Sequence, residues 1–329
     1  MFEPPEYPVL RQFHLQPVQL LGHGAYGKVY LVQDATRGNQ ILAAKVLPIR
    51  NFNRREWDTA NEMRLQCKNL DYLTQIYQMY QSQSDVIIVM EFVNMSGLDA
   101  FEKKNGACGL PLTIVRKMMW QILEGIYEMH NVKMIHRDLK DENILMNWSL
   151  NVLDNTSPTG FRYASNEQED MNCEVSMKIT DFGLARRLED NQMAQTHCGT
   201  PLNMAPEVLD DQRAFDAKAD IWSAGIVFYQ LCTSKFPFPA KSIPEMKNMV
   251  QRPFHSVKMH PQQQQLPNIQ QQYIQLNDLL QKMLCIYPQQ RINALAALYH
   301  GFFTDEAVNN GRMTLEKYDW KYANEILQI

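Results

Sequence analysis

"MIHRDLKDENILM", residues 134–146, sets three acids, three bases and an amide between apolar flanks. The stretch is too polar for a core strand and too closely framed by Ile and Leu for an idle loop. It reads as a short loop with buried ends that displays Asp138, Lys140 and Asn143 together.

The 329-residue chain is long enough to bury a substantial core, in one two-lobed unit or two small domains. Hydrophobic residues make up 45% and charged residues 21%, ordinary values for a globular protein. A formal net charge of -4 provides no basic footprint, which argues against a nucleic-acid platform. The six cysteines are scattered and form no Cys-x-x-Cys pair, so zinc ribbons and disulfide frameworks are disfavoured. Reduced thiols in a cytosolic or nuclear setting fit better. The opening "MFEPPEYPVL" lacks a signal-peptide pattern, and the longest apolar run, "VIIVM" at 86–90, is far too short to cross a bilayer. The expectation is a soluble, cytoplasmic protein without membrane insertion.

The texture changes along the chain. Residues 17–47 are β-rich: "PVQLLGHGAYGKVYLVQD" turns through glycines and "QILAAKVLPI" continues as a strand. A helix is expected over 53–68, followed by strand-like "TQIYQMY" and "DVIIVMEFV". From about residue 110 helical spacing takes over, in "LPLTIVRKMMWQILEGIYEMH" with Pro111 suited to its entry, then "AKADIWSAGIVFYQLC" and "YIQLNDLLQKMLCIY". Two segments interrupt this pattern. Residues 147–174 carry turn formers and acids without periodicity, and the glutamine-biased 261–272 reads as a flexible insertion.

"LGHGAYGKVY" places Gly22, Gly24 and Gly27 in Gly-x-Gly-x-x-Gly spacing, which lets backbone approach phosphates closely. A dinucleotide site would open a helix at the third glycine. Here "KVYLVQD" follows, a strand former, so a β-hairpin over a nucleotide is favoured, with Val29 towards the base. Eighteen positions after Gly27, Lys45 interrupts the apolar "LAAKVL". It either snorkels from an edge or projects towards buried phosphates, and the preceding hairpin favours the second.

"HRDLKDEN", "KITDFG" and "APE", in that order after the glycine hairpin and Lys45, resemble the eukaryotic protein kinases over residues 15–303. The resemblance implies an α+β bilobal fold, with a small β-rich N-lobe (15–90), a hinge (91–97) and a larger mainly helical C-lobe (98–303) containing the 147–174 insert. The ATP site would occupy the cleft. Residues 1–14 would be an N-terminal extension and 304–329 a C-terminal tail.

Carried over residue by residue, Asp138 would orient the substrate hydroxyl and Lys140 would neutralise the transferring phosphoryl group. A lysine two positions after the Asp resembles serine/threonine kinases rather than tyrosine kinases. Asn143 and Asp181 would hold Mg²⁺ through hard oxygen ligands, and Lys45 would pair the ATP phosphates. Leu21, Ala43 and Leu145 would line the adenine pocket, Met90 would guard its back, and the backbones of Glu91 and Val93 would read the base edge. The helix at 53–68 offers Glu56 and Glu62 as partners for Lys45. Counting back from "YLTQIY" lands on Asn61, and a one-residue insertion selects Glu62.

In "QMAQTHCGTPLNMAPE", Thr200 would orient Asp138 and Lys140, while Thr196 occupies a position commonly phosphorylated. Arg137 would receive that phosphate, or else bond local carbonyls. An upstream kinase or trans-autophosphorylation would supply it. Glu207 and Arg291 match a structural ion pair, and Asp220 a backbone-capping acid.

Two departures stand out. Asp138 and Asp181 are 43 positions apart, roughly twice the family's usual separation, and the excess is the 147–174 loop. Gly301 stands where the family usually has Pro. "MAQTHCGTPLNMAPEVL" together with the lengthened loop is similar to the autophagy-initiating serine/threonine kinases. The resemblance therefore implies ATP- and Mg²⁺-dependent phosphorylation of Ser/Thr on protein substrates. The rival is a nucleotide-binding pseudokinase scaffold, which has no need of Lys45, Asp138, Asn143 and Asp181 together.

Overall fold

A computed structural model describes residues 8–24, 27–93, 98, 110, 112–148, 175–187, 202–209, 216–259 and 268–303. Thr196 and Thr200 lie outside them, as does nearly all of the 147–174 insert.

A short helix, α1 (Pro8–Arg11), precedes β1 (Leu15–Gly24), β2 (Gly27–Asp34) and β3 (Gln40–Pro48). Helix α2 (Arg54–Gln66) follows, its entry capped by the Asn53 side chain accepting from the Arg55 amide. Then come β4 (Ile76–Gln81) and β5 (Asp85–Glu91). The five strands form one antiparallel sheet in the order β1-β2-β3-β5-β4.

Strand alternation sorts the two faces of this sheet. Tyr30, Val32, Leu42, Ala44, Val46, Ile87 and Val89 are buried on one side. Val29, Leu31, Ala43 and Lys45 alternate with them and belong to the other, where the cleft lies. Residues 8–14, which precede the 15–303 unit, complete the first face. Leu10 is fully buried in its cluster, and Phe13 stacks on Tyr80 with ring centroids 4.6 Å apart. An apolar sheet face must be covered, and this segment supplies part of the cover.

The second lobe begins with α3 (Leu112–Asn131) and continues through β6 (Met134–Ile135), β7 (Ile144–Trp148), β8 (Val175–Ile179) and β9 (Arg186–Arg187). Next come α4 (Pro206–Leu209), α5 (Ala217–Thr233), α6 (Ile243–Met249), α7 (Ile269–Met283) and α8 (Ala294–Leu298). β6 pairs with β9 and β7 with β8, both antiparallel. α5 is apolar around most of its circumference and is correspondingly the buried axis of the lobe. Among the described residues, no helix is long and apolar enough to cross a membrane.

Part of the glutamine-biased stretch is ordered helix rather than insertion. Ile269, Tyr273, Leu276, Leu280 and Met283 recur at helical spacing and are buried, so Gln270–Gln272 ride on α7's first turn. Glu207 and Arg291 form a buried bidentate pair, at 2.7 and 2.9 Å. Arg291 also donates to the carbonyls of Cys285 and Lys218, so the buried charges are well satisfied.

β7 runs to Trp148, two residues into the stretch expected to be loop, and pairs Trp148 with Val175. The hairpin ends therefore already meet. Closing a loop costs only about 0.6 kcal/mol per doubling of length. Replacing residues 150–172 by a short Gly-Ser turn should leave the melting temperature and activity on a small peptide unchanged. Loss of folding on circular dichroism would show that the segment belongs to the core.

Candidate active site

Between the lobes lies a cavity of about 420 Å³. Leu21, Gly22, Val29 and Ala43 wall it from the sheet, Met90, Glu91 and Val93 from the connection, and Leu145 from β7. Gly24 and Gly27 pair across the β1–β2 hairpin. Gly27 has φ +151°, and a Cβ there would meet the Val46 carbonyl at 2.2 Å, so a side chain is excluded. A strand, not a helix, follows this glycine, which is incompatible with a dinucleotide-binding turn.

Lys45 projects from β3 into the rear of the cavity. Its Nζ lies 2.8 Å from one oxygen of Glu56 and 3.1 Å from the other. Burial lowers the lysine's pKa, but the carboxylates of Glu56 and Asp181 outweigh it and hold the ammonium above its ordinary value. Glu56 thus takes the place assigned from sequence to Glu62. Six residues along a helix is about 240° of rotation, so the two acids cannot share a face. Glu62 turns instead to Arg187 of β9 and accepts from Gln66. The helix itself carried the missed signal. Glu56, Thr59, Ala60 and Met63 stand at i, i+3, i+4 and i+7 and are its buried residues.

The loop at 136–143 is held from below by Asp220 of α5. One carboxylate oxygen accepts from the His136 amide and the other from the Arg137 amide, both at 2.9 Å, and His130 adds a third bond. The His136 Nε2 donates to the Thr180 carbonyl at 2.9 Å, while its ring meets Phe182 edge-on. Arg137 takes φ +72°, a costly backbone conformation that these anchors maintain. Asp138 is thereby held beside Asn143, a residue of the cavity wall. Asn143 donates its amide to both the carbonyl and carboxylate of Asp138, at 2.8 and 3.0 Å. Lys140 lies 3.3 Å from Asp138 and 3.1 Å from Glu142.

Asn143 and Asp181 meet because their strands are paired. Ile144 opposes Ile179, and the Thr180 amide donates to the Asn143 carbonyl at 3.0 Å. Asp181, with φ +62°, turns back so that one oxygen lies 3.7 Å from Lys45. Among the described residues no three acids, histidines or cysteines form a metal cluster. Mg²⁺ does not require one, since it takes one or two carboxylate-type ligands and fills the rest with water and phosphate. Asn143 commits its NH₂ to Asp138, which leaves its carboxamide oxygen as the donor atom towards a metal. With the Asp181 carboxylate, that is a hard-oxygen set suited to Mg²⁺.

A family model for the protein kinase domain matches residues 15–303. The chain belongs to the protein kinase family. The human serine/threonine-protein kinase ULK1 is 32% identical over 238 residues, which is 72% of this chain. The matched region is 21% of that relative's own length.

The kinase fold observed here also gathers cationic groups beside the loop. Burial, then Arg186, lowers the pKa of the Arg137 guanidinium; Asp220 opposes this and Arg55 adds to it. α2, the loop and β9 each contribute one of these arginines.

Asp220 offers a pH test of the scaffold. Burial raises its pKa, but the hydrogen bond and field of His130, together with His136, bring it below the ordinary 3.8. A depressed carboxylate contributes stability above its unfolded pKa and loses it as pH falls through the folded value. Acid unfolding should therefore draw on Asp220 below about pH 4. Asp220→Ala, which strands several buried donors, should cost about 3 kcal/mol in urea unfolding at neutral pH and remove that acid-limb contribution.

Proposed function

We propose that the chain transfers the terminal phosphoryl group of MgATP to serine and threonine hydroxyls of protein substrates. The observation that supports this most is the convergence on one cavity of Lys45, locked by Glu56, with Asp181 and Asn143, while Asp138 is bonded to Asn143. Asn143 and Asp181 would hold Mg²⁺, which would supply neutralisation of phosphate charge. The chain's residues do the positioning. Lys45 holds the α- and β-phosphates, the glycine hairpin covers them with backbone, and Leu21, Val29, Ala43 and Leu145 enclose the base. Asp138 accepts a hydrogen bond from the incoming hydroxyl and orients it, and Lys140 stabilises charge on the transferring group. We assign this unit to residues 15–303.

Lys140, two positions after Asp138, supports the Ser/Thr class, as does the type of the similar human kinase. Incubating the purified chain with MgATP and a degenerate peptide library should give phosphoserine and phosphothreonine. Phosphotyrosine as the main product would overturn the assignment. The finer likeness in "MAQTHCGTPLNMAPEVL" leads us to place the physiological role with the autophagy-initiating kinases, in the cytoplasm.

Control of activity is assigned to Thr196, which lies outside the described residues. The support is the arginine group of Arg55, Arg137 and Arg186, whose mutual repulsion a phosphate of about -2 charge would relieve. Thr196→Ala and phosphatase treatment should each lower activity on a peptide substrate by at least tenfold. Unchanged activity in both would reduce Thr196 to an ordinary loop residue.

A further inference from the structure

The end of β5 and the strand leading to Asp181 are joined by an ion pair between a buried lysine and a partly buried glutamate. Lys178 of β8 is 7% exposed, and its Nζ lies 3.0 Å from Oε1 of Glu91. The same oxygen accepts from the Gln75 amide at 2.7 Å, and the Glu91 amide donates back to the Gln75 carbonyl at 2.9 Å. The segment at 72–75 is bonded on its other side to β8. The Thr74 amide donates to the Ile179 carbonyl at 2.8 Å, and the Ile179 amide to the Tyr72 carbonyl at 2.9 Å. A continuous tie therefore runs from the connection between the lobes to the residue two before Asp181.

We propose that Lys178 and Glu91 are a positioning pair that sets the spacing between the adenine-reading backbone and the metal-holding Asp181. The inference rests on the phosphoryl-transfer reading. A short turn normally fixes the register of an antiparallel hairpin. β7 and β8 are separated by residues 149–174, so their connection is too long to do so. β8 must then be located from outside the hairpin: α3 holds it through Gln121, whose side-chain oxygen accepts from the Met177 amide at 2.7 Å, and 72–75 and Glu91 hold it on the side towards the connection between the lobes. Lys178 opposes Leu145, which lines the base pocket, so a shift of β8 would displace the floor and the metal acid together. Phosphoryl transfer depends on the relative placement of these groups, where an error near 1 Å costs on the order of 10²-fold.

The test uses the full chain and compares three variants with wild type, reading kcat and KM for ATP, adenosine affinity and melting temperature. Lys178→Met leaves the partly buried Glu91 without its cation, with only the Gln75 amide still donating to it, and is the variant most exposed to a loss of stability. Lys178→Met/Glu91→Gln removes both charges, which buried pairs often tolerate without loss of stability. The double variant should melt like wild type and bind adenosine within about threefold, while kcat falls roughly 10- to 10²-fold. Lys178→Arg, which keeps the charge, should recover most of kcat. A stable double variant with wild-type kcat would overturn the pair's role. So would a loss of adenosine affinity equal to the loss of kcat, because the pair would then act on the base site alone. A wild-type chain that transfers no phosphate would count instead against the phosphoryl-transfer reading.

Discussion

Asp138→Asn is expected to lower turnover by roughly 10²–10⁴-fold while leaving ATP affinity nearly intact. The carboxylate belongs to a loop whose backbone is held by Asp220, so exchanging one oxygen for an amide should not disturb the fold. The change strikes at the group proposed to orient the attacking hydroxyl. An Asn at 138 presents an NH₂ where an acceptor is needed, and it also faces the Asn143 amide, which now donates to Asp138 at 3.0 Å. Steady-state peptide phosphorylation and nucleotide titration on the same preparation separate the two effects. Near-wild-type turnover would remove Asp138 from its role.

The second large effect concerns the partner of Lys45. Glu56→Gln should lower kcat/KM by roughly 10²-fold, because it leaves a largely buried ammonium without its nearest carboxylate and lets Lys45 drift from the phosphates. Glu62→Gln should change it by no more than a few-fold, since Glu62 bonds Arg187 and Gln66 on a different face of α2. The two variants differ only in which helix face they touch. An equal loss in both would mean that the orientation of α2 matters and the Lys45–Glu56 contact does not.

The residues that sequence made legible share one property: their partners are close along the chain or on paired strands. Asp138, Lys140 and Asn143 sit within one loop, so their spacing announces a shared site. Lys45 was legible because an ammonium in "LAAKVL" has few tolerable surroundings. Glu56 is hidden from a count back along the chain from "YLTQIY", which lands on Asn61 and its neighbour Glu62, whereas the helix's own i, i+3, i+4, i+7 pattern points to Glu56. Lys178 in "VSMKI" carries the same kind of signal as Lys45, a charge in an apolar strand, and its partner Glu91 lies far back in the sequence, at the connection between the lobes. No local pattern identifies that partner; the packing of β8 against 72–75 and α3 brings the two together. The cover of the sheet by Leu10 and Phe13 was hidden for a similar reason, since the segment before β1 has no periodicity of its own beyond one turn of helix.

The most direct test of the phosphoryl-transfer claim is a mass-balanced transfer assay with γ-labelled ATP, Mg²⁺, the purified chain and a serine/threonine peptide. Phosphoryl transfer to the peptide should give label on its hydroxyl, one equivalent of ADP per phosphate transferred, and loss of both in Asp138→Asn. Label appearing only as free phosphate, or peptide labelling that persists at wild-type rate in Asp138→Asn, would contradict it.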